Sequence, residues 1–135
     1  MPFAAITGWG TGVPERVLTN HDLEKMVDTS DDWIVSRTGI RERRVVGERD
    51  TTTSLATAAG RGALERAGLS ADDLDLIVVG TATPDDLIVA EAALVQAELG
   101  GNAGAFDVGA ACAGFVTALS VGTQFITSGT FERVL

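Results

Sequence analysis

Sulfhydryl and imidazole are almost missing from this chain: its 135 residues hold one cysteine, Cys112, and one histidine, His21. A single thiol cannot close a disulfide within the chain, and a reducing compartment, the cytoplasm, suits it best. One thiol and one imidazole also cannot build a zinc centre of cysteine and histidine ligands, so no metal site is expected. Positive charge is scarce as well. Ten lysines and arginines face nineteen aspartates and glutamates, a formal net charge of −9. That balance argues against nucleic acid and against an anionic membrane surface as partners. The opening residues, MPFAAITGWG, show neither a basic leader nor a long apolar run, so no signal peptide is visible.

Charge is wholly absent from Val108 to Phe131, a stretch long enough to cross a bilayer. Thr117, Ser120, Thr123, Gln124, Thr127 and Ser128 interrupt it, as do several glycines. A helix buried on most sides inside a globular protein is the expectation, not a membrane span. What the chain does have is apolar material for one core, 45% of its residues, and sixteen glycines that suggest tight turns and close backbone approaches.

Along the chain, FAAITGWG (3–10) reads as a short buried strand. Thr19 can cap a helix from Asn20 to about Val27, with Asp22 completing a capping box. Ser30 can cap a second helix, DDWIVSRT, which Gly39 stops. IRERRVV (40–46) reads as extended and 47–54 as a polar loop. A small-residue helix follows from Ser54 to about Ala67 and ends at Gly68. LDLIVVGTA (74–82) is a continuous apolar run, the mark of a parallel strand covered on both faces. A helix over 90–100, a buried strand over 103–108 and a helix from Cys112 to about Ser128 complete the pattern. FERVL (131–135) starts like a strand as the sequence stops, which suggests a truncated chain. Alternating strands and helices with short connections give an α/β fold with a largely parallel sheet. GWGTG (8–12) looks like a dinucleotide fingerprint, but Val13 stands where the last glycine belongs, so a turn is expected there instead.

Two groups of residues could carry chemistry. Cys112 lies in VGAACAGFV, where a strand passes through a small-residue turn into a long helix. Unpaired N–H groups and the positive end of the helix dipole favour a thiolate there. The flanking alanines and glycine leave room for an acyl group, and their N–H groups could face an oxyanion. A packed structural cysteine fits the same position. No base is visible beside it, since His21 sits in a polar helix start where a surface role is expected. The second group is basic. Arg37, Arg41, Arg43 and Arg44 crowd into positions 37–44 of an acidic chain. Trp33 and Arg37 share a helix face at i and i+4. A flat indole and a planar guanidinium suit an adenine nucleotide and its phosphates. Equally, Trp33 could anchor the core while the arginines pair with Asp31, Asp32, Glu42 and Glu48.

DVGAACAGFVTAL (107–119) resembles the active-site segment of β-ketoacyl-acyl carrier protein synthase III, and LEKMVDTSDDWIVSRTGIRERR (23–44) resembles a second signature of that family. GTGVPERVLTN (10–20) and DLIVVGTATPD (75–85) match too, in the same order. The resemblance implies a thiolase-like fold, two similar halves stacked α-β-α-β-α, of which 1–135 would be the first half, truncated at its C-terminus, a mostly parallel sheet with a buried central helix. It implies an acyltransferase that primes fatty acid synthesis. Cys112 would take an acyl group from acyl-coenzyme A, the substrate, with no permanently bound cofactor. Malonyl-acyl carrier protein would then lose carbon dioxide and attack the acyl-cysteine. The family's histidine and asparagine lie outside the matching half, as does the second oxyanion donor beside the Cys112 N–H. Trp33 matches the adenine-stacking tryptophan, Arg37 a coenzyme A-contacting arginine, and Thr29 a threonine beside that site. Structural ion pairing is expected for Arg41, Arg43 and Arg44. The family also implies a homodimer, with an acyl carrier protein as partner. Where family members run through an aromatic or apolar residue and a proline, this chain has Ile88 and Val89, so an altered starter-acyl preference is expected. A polyketide-priming ketosynthase is the alternative, and a non-catalytic fragment a further one.

Overall fold

The antiparallel pair β1 (Val17–Thr19) and β2 (Glu42–Arg44) joins Val17 to Arg44 and Thr19 to Glu42, and it frames two short helices. The structure, a computed structural model, describes residues 3–135 in two units, Val13–Asp50 and residues 3–12 with Thr51–Leu135. In the smaller unit α1 (Asn20–Glu24) begins as its sequence dictates: the Asp22 N–H donates to the Thr19 hydroxyl, and the Thr19 N–H returns a bond to the Asp22 carboxylate. The helix ends three residues before the expected Val27, because the N–H groups of Met26 and Val27 both turn back to the Leu23 carbonyl. Helix α2 (Asp31–Thr38) is capped by Ser30, whose hydroxyl accepts the Trp33 N–H at 3.1 Å, and stopped by Gly39 at φ +71°. It buries Ile34 and leaves Trp33 out.

In the larger unit α3 (Thr52–Ala67) starts two residues earlier than expected, because Thr51 and Ser54 form their own capping box. After a 3-10 turn at Ala71–Asp73, β3 (Leu76–Gly80) runs parallel to β4 (Gly104–Val108) in the register Leu76 to Gly104 through Gly80 to Val108. The FERVL tail takes the other edge of β3: the Leu135 N–H donates to the Leu76 carbonyl and the Val78 N–H to the Leu135 carbonyl. Successive strand residues Leu76 and Ile77 face opposite ways and both are buried, so the central strand is covered on both faces. Helix α4 (Glu91–Leu99) packs on β4 and on α3, and the core gathers Leu64, Leu74, Ile77, Ala92, Val95 and Ala103.

Two expectations change. Residues 3–12 are extended but join no ladder, and Gly8–Gly12 makes no turn. A Cβ at Gly8, Gly10 or Gly12 would collide with the carbonyl oxygens of Ala63, Ala59 and Leu55 in turn. Two strand residues advance about 6.7 Å and four helix residues about 6 Å, so alternate glycines meet successive turns of α3. The Gly-x-Gly-x-Gly pattern is therefore a contact rail for a helix. The helix after the cysteine, α5 (Gly114–Thr127), is buried on one side instead of most sides. Gly114 and Gly122 face inward, whereas Phe115, Val116 and Leu119 are exposed, because among the described residues no element covers that face.

Candidate functional site

Strand β4 delivers the chain to Gly109 and Ala110, and a 3-10 turn, Ala111–Ala113, carries Cys112 at its centre. Ala111 has φ +43°, the one non-glycine residue described with positive φ, a conformation that costs an L-residue about 1–2 kcal/mol. That kink lies one residue before Cys112, where the chain turns from β4 toward α5. Cys112 lies two residues ahead of Gly114, where α5 begins, so it stands near the helix N-terminus as expected, with the α-helix itself starting two residues later than the sequence indicated. The turn closes through the Ala113 N–H on the Ala110 carbonyl at 2.9 Å and the Gly114 N–H on the Ala111 carbonyl. Helix α5 starts this close to the sheet because two glycines meet. A Cβ on Gly80, the last residue of β3, would lie 2.7 Å from the Gly114 carbonyl carbon. Among the described residues the thiol is exposed. An exposed thiol in a tight turn ahead of a fourteen-residue helix can be reached by an electrophile and attack it.

Carboxylates absent from the sequence reading hold this neighbourhood in place. Asp107, on β4, accepts the Glu91 and Ala92 N–H groups at 2.7 and 2.8 Å, so the strand that leads to the cysteine also caps α4. Asp85 accepts the Thr52 and Thr53 N–H groups at the start of α3, both at 2.8 Å. Those bonds, the Thr53 N–H first, hold the Asp85 carboxyl far below the usual carboxylate range. Glu91 is fully buried and accepts the Thr53 hydroxyl at 2.6 Å and the Asp85 N–H at 2.7 Å. Asp107 gave one signal: it is the sole charge in an otherwise apolar strand. Glu91 gave none, since its partners are distant in sequence. Between these anchors the loop is braced by Asp86, which accepts the Ile88 and Val89 N–H groups. Leu87 and Ile88 protrude from it, 97% and 95% exposed.

The second group lies in the smaller unit. Trp33 is 55% exposed, so it does not anchor a core, and the Arg37 guanidinium lies 5.0 Å from its ring centroid. Thr29 and Trp33 line one cleft of about 330 Å³ together with Asp28 and Ser30. Trp33, Arg37 and Thr29 are thus brought together as a half-open aromatic surface with a cation and hydroxyls at its edge. Such a surface can take a planar ring bearing anionic groups. The expected ion pairs of the other arginines do not form. Arg43 donates to the Asn20 amide oxygen at 2.8 Å and Arg44 to the Pro14 carbonyl at 3.1 Å, neutral acceptors in both cases. Among the described residues the ion pairs are His21 with Glu24 and Lys25 with Asp22. His21 is thereby a surface residue whose pKa is raised by its bond to Glu24. A larger groove, about 380 Å³ between residues 3–8, α3 and residues 132–135, contains none of these residues.

A sequence profile for 3-oxoacyl-[acyl-carrier-protein (ACP)] synthase III matches residues 106–135, the segment that includes Cys112. The chain is 57% identical over 134 residues to the β-ketoacyl-[acyl-carrier-protein] synthase III of Roseiflexus castenholzii, 98% of this chain and 41% of that one. It is 55% identical over the same span to the enzyme of that name from Xanthomonas campestris, again covering 41% of the relative. Its backbone superimposes on the crystal structure of 3-oxoacyl-[acyl-carrier-protein] synthase III from Aquifex aeolicus with a TM-score of 0.91 at 50% identity, over 96% of this chain and 42% of that one. The priming β-ketosynthase of the R1128 polyketide pathway follows at 0.90 and 39% identity, over 95% and 39% of the two chains. The chain spans about two fifths of the length of the relatives it matches.

Proposed function

Because this chain belongs to the β-ketoacyl-[acyl-carrier-protein] synthase III family and has part of its thiolase-like α/β fold, we propose that it supplies the acyl-accepting part of a priming condensing enzyme. The observation that carries the proposal is the exposed thiol of Cys112 in the turn ahead of α5. In this reading an acyl-coenzyme A sets its adenine against Trp33 and its phosphates toward Arg37, with Thr29 beside them. The Cys112 thiolate attacks the thioester carbonyl, and the main-chain N–H of Cys112 shares in holding the oxyanion. Coenzyme A leaves as its thiolate, taking up the proton the cysteine gave, and an acyl-cysteine remains. Malonyl-acyl carrier protein then loses carbon dioxide. The carbanion left behind attacks the acyl-cysteine carbonyl, and the thiolate of Cys112 departs, giving a 3-ketoacyl-acyl carrier protein.

Nothing in this sequence performs the decarboxylation. The single histidine, His21, is bound to Glu24 on a surface helix. The histidine and asparagine that the family resemblance implies belong to residues outside these 135, so the isolated chain condenses nothing. The working form is a homodimer that draws on coenzyme A thioesters and an acyl carrier protein in the cytoplasm, and needs no resident cofactor. Among the described residues no helix is long and apolar enough to cross a membrane.

One observation favours a second reading, a polyketide-priming ketosynthase with a different starter. Ile88 and Val89 stand in the loop that, by the family resemblance, walls the acyl pocket of the neighbouring subunit, and Ile88 is almost fully exposed. Turnover of acetyl-, branched and longer acyl-coenzyme A by the full natural chain separates the two. A shift away from acetyl supports an altered starter; an unchanged acetyl preference returns the enzyme to fatty acid priming.

A further inference from the structure

Asn20 is 1% exposed, at the first position of a five-residue helix, and its amide is fully engaged. Its Nδ2 donates to the Asp31 carboxylate at 2.7 Å and to the Ile40 carbonyl at 2.8 Å. Its Oδ1 accepts from the Arg43 guanidinium at 2.8 Å. Its backbone N–H donates to the Arg41 carbonyl at 3.3 Å. Asp31 is the first residue of α2, and Ile40 follows the Gly39 cap that ends it. One buried side chain therefore ties down both ends of the helix that carries Trp33 and Arg37, and fastens them to β2 through Arg43. No other side chain described bridges those two ends. The helix needs such a tie, because Ile34 is its only buried residue and apolar packing alone fixes its rotation weakly. An amide is the one group of this size that can donate twice and accept at once. A carboxylate here would face Asp31, and an aliphatic side chain would strand the Asp31 and Ile40 acceptors.

We infer that Asn20 is a positioning residue for coenzyme A recognition: through Asp31, Ile40 and Arg43 it sets the attitude of α2 and so the Trp33–Arg37 surface. The inference rests on the proposed coenzyme A reading of that surface. Its test uses the full natural chain, with KM for acetyl-coenzyme A and kcat measured separately, and the Kd of coenzyme A measured by isothermal titration calorimetry. Asn20→Ala is expected to raise KM and Kd by about tenfold, the loss of one to two net hydrogen bonds, with kcat per folded enzyme retained. A merely structural role lowers the amount of folded enzyme and leaves KM and Kd where they were. Arg43→Met removes a single partner and keeps Asn20. It is expected to raise both constants about threefold, and it decides the matter if Asn20→Ala does not fold. Unchanged KM and Kd in the folded variants overturn the inference. Trp33→Ala in the same kinetic assay separates the two levels. If it leaves KM unchanged, the coenzyme A reading itself fails; if it raises KM while the Asn20 and Arg43 variants do not, the positioning role alone fails.

Discussion

At the scale of single residues, the surface around Trp33 depends on contacts the sequence only half displays. The i, i+4 spacing of Trp33 and Arg37 was visible, and the cation over the ring follows from it. Stacking a base on an aromatic side chain is worth roughly 1–3 kcal/mol. Trp33→Ala is therefore expected to raise KM for acyl-coenzyme A on the order of tenfold or more with kcat little altered, as steady-state kinetics on the full natural chain would show. Proton linkage acts at the same scale. The Asp22 carboxyl is pulled from 3.8 to about 2, first by the Thr19 hydroxyl and then by Lys25. Asp85 is lowered further, first by the N–H of Thr53 and with it that of Thr52. Their folded pKa values lie below the unfolded ones, so the folded chain binds fewer protons in that window. The stability that Asp22 contributes is present above the unfolded value near 4 and is lost as pH falls through about 2; that of Asp85 is lost at lower pH still. Asp22→Asn is expected to flatten the fall in stability between those values, measured by denaturant unfolding across an acid pH series; an unchanged slope rules out this linkage.

At the scale of elements, Gly10 is the sharpest point of contact. Alanine at an extended position restricts the unfolded chain and gains about 0.4–1 kcal/mol. At Gly10 the new Cβ would meet the Ala59 carbonyl of α3, main chain that cannot swing aside. Overpacking of this kind costs about 1–3 kcal/mol and wins. Gly10→Ala is expected to lower stability by that amount in urea unfolding, whereas an unchanged midpoint would mean that residues 3–12 do not lie on α3. The same glycines show why part of the fold was legible and part was not. Caps by Thr19 and Ser30, stops at Gly39 and Gly68, and the apolar β3 run are local, and each formed as its residues indicated. The Gly8–Gly12 run misled because its partner, α3, lies some fifty residues away. The partners of Asp85, Glu91 and Asp107 were illegible for the same reason: each satisfies an element remote in sequence. At the site, the small-residue turn before a helix was readable around Cys112. The left-handed Ala111 one residue before the cysteine was not, since alanine carries no preference for positive φ.

At the scale of the whole molecule, the 135 residues expose apolar surface that other protein would cover. Phe115 and Val116 on α5 are 74% and 63% exposed, and Leu87 and Ile88 protrude nearly bare. Exposed apolar side chains such as these, where they adjoin, favour association in water. Sedimentation of the isolated chain is expected to give a mass above the 14.0 kDa of one copy, with Phe115→Ser and Val116→Ser lowering it; a clean monomer would contradict this. Whatever the assembly, the chemistry is assigned to one sulfur atom. The most direct measurement is the intact mass of the full natural chain after exposure to acetyl-coenzyme A without malonyl-acyl carrier protein, followed by peptide mapping. One acetyl group per chain on Cys112, lost in Cys112→Ala together with condensation by a factor on the order of 10⁴, is the result expected. Acetyl found on another residue, or condensation that persists in Cys112→Ala, would contradict the account.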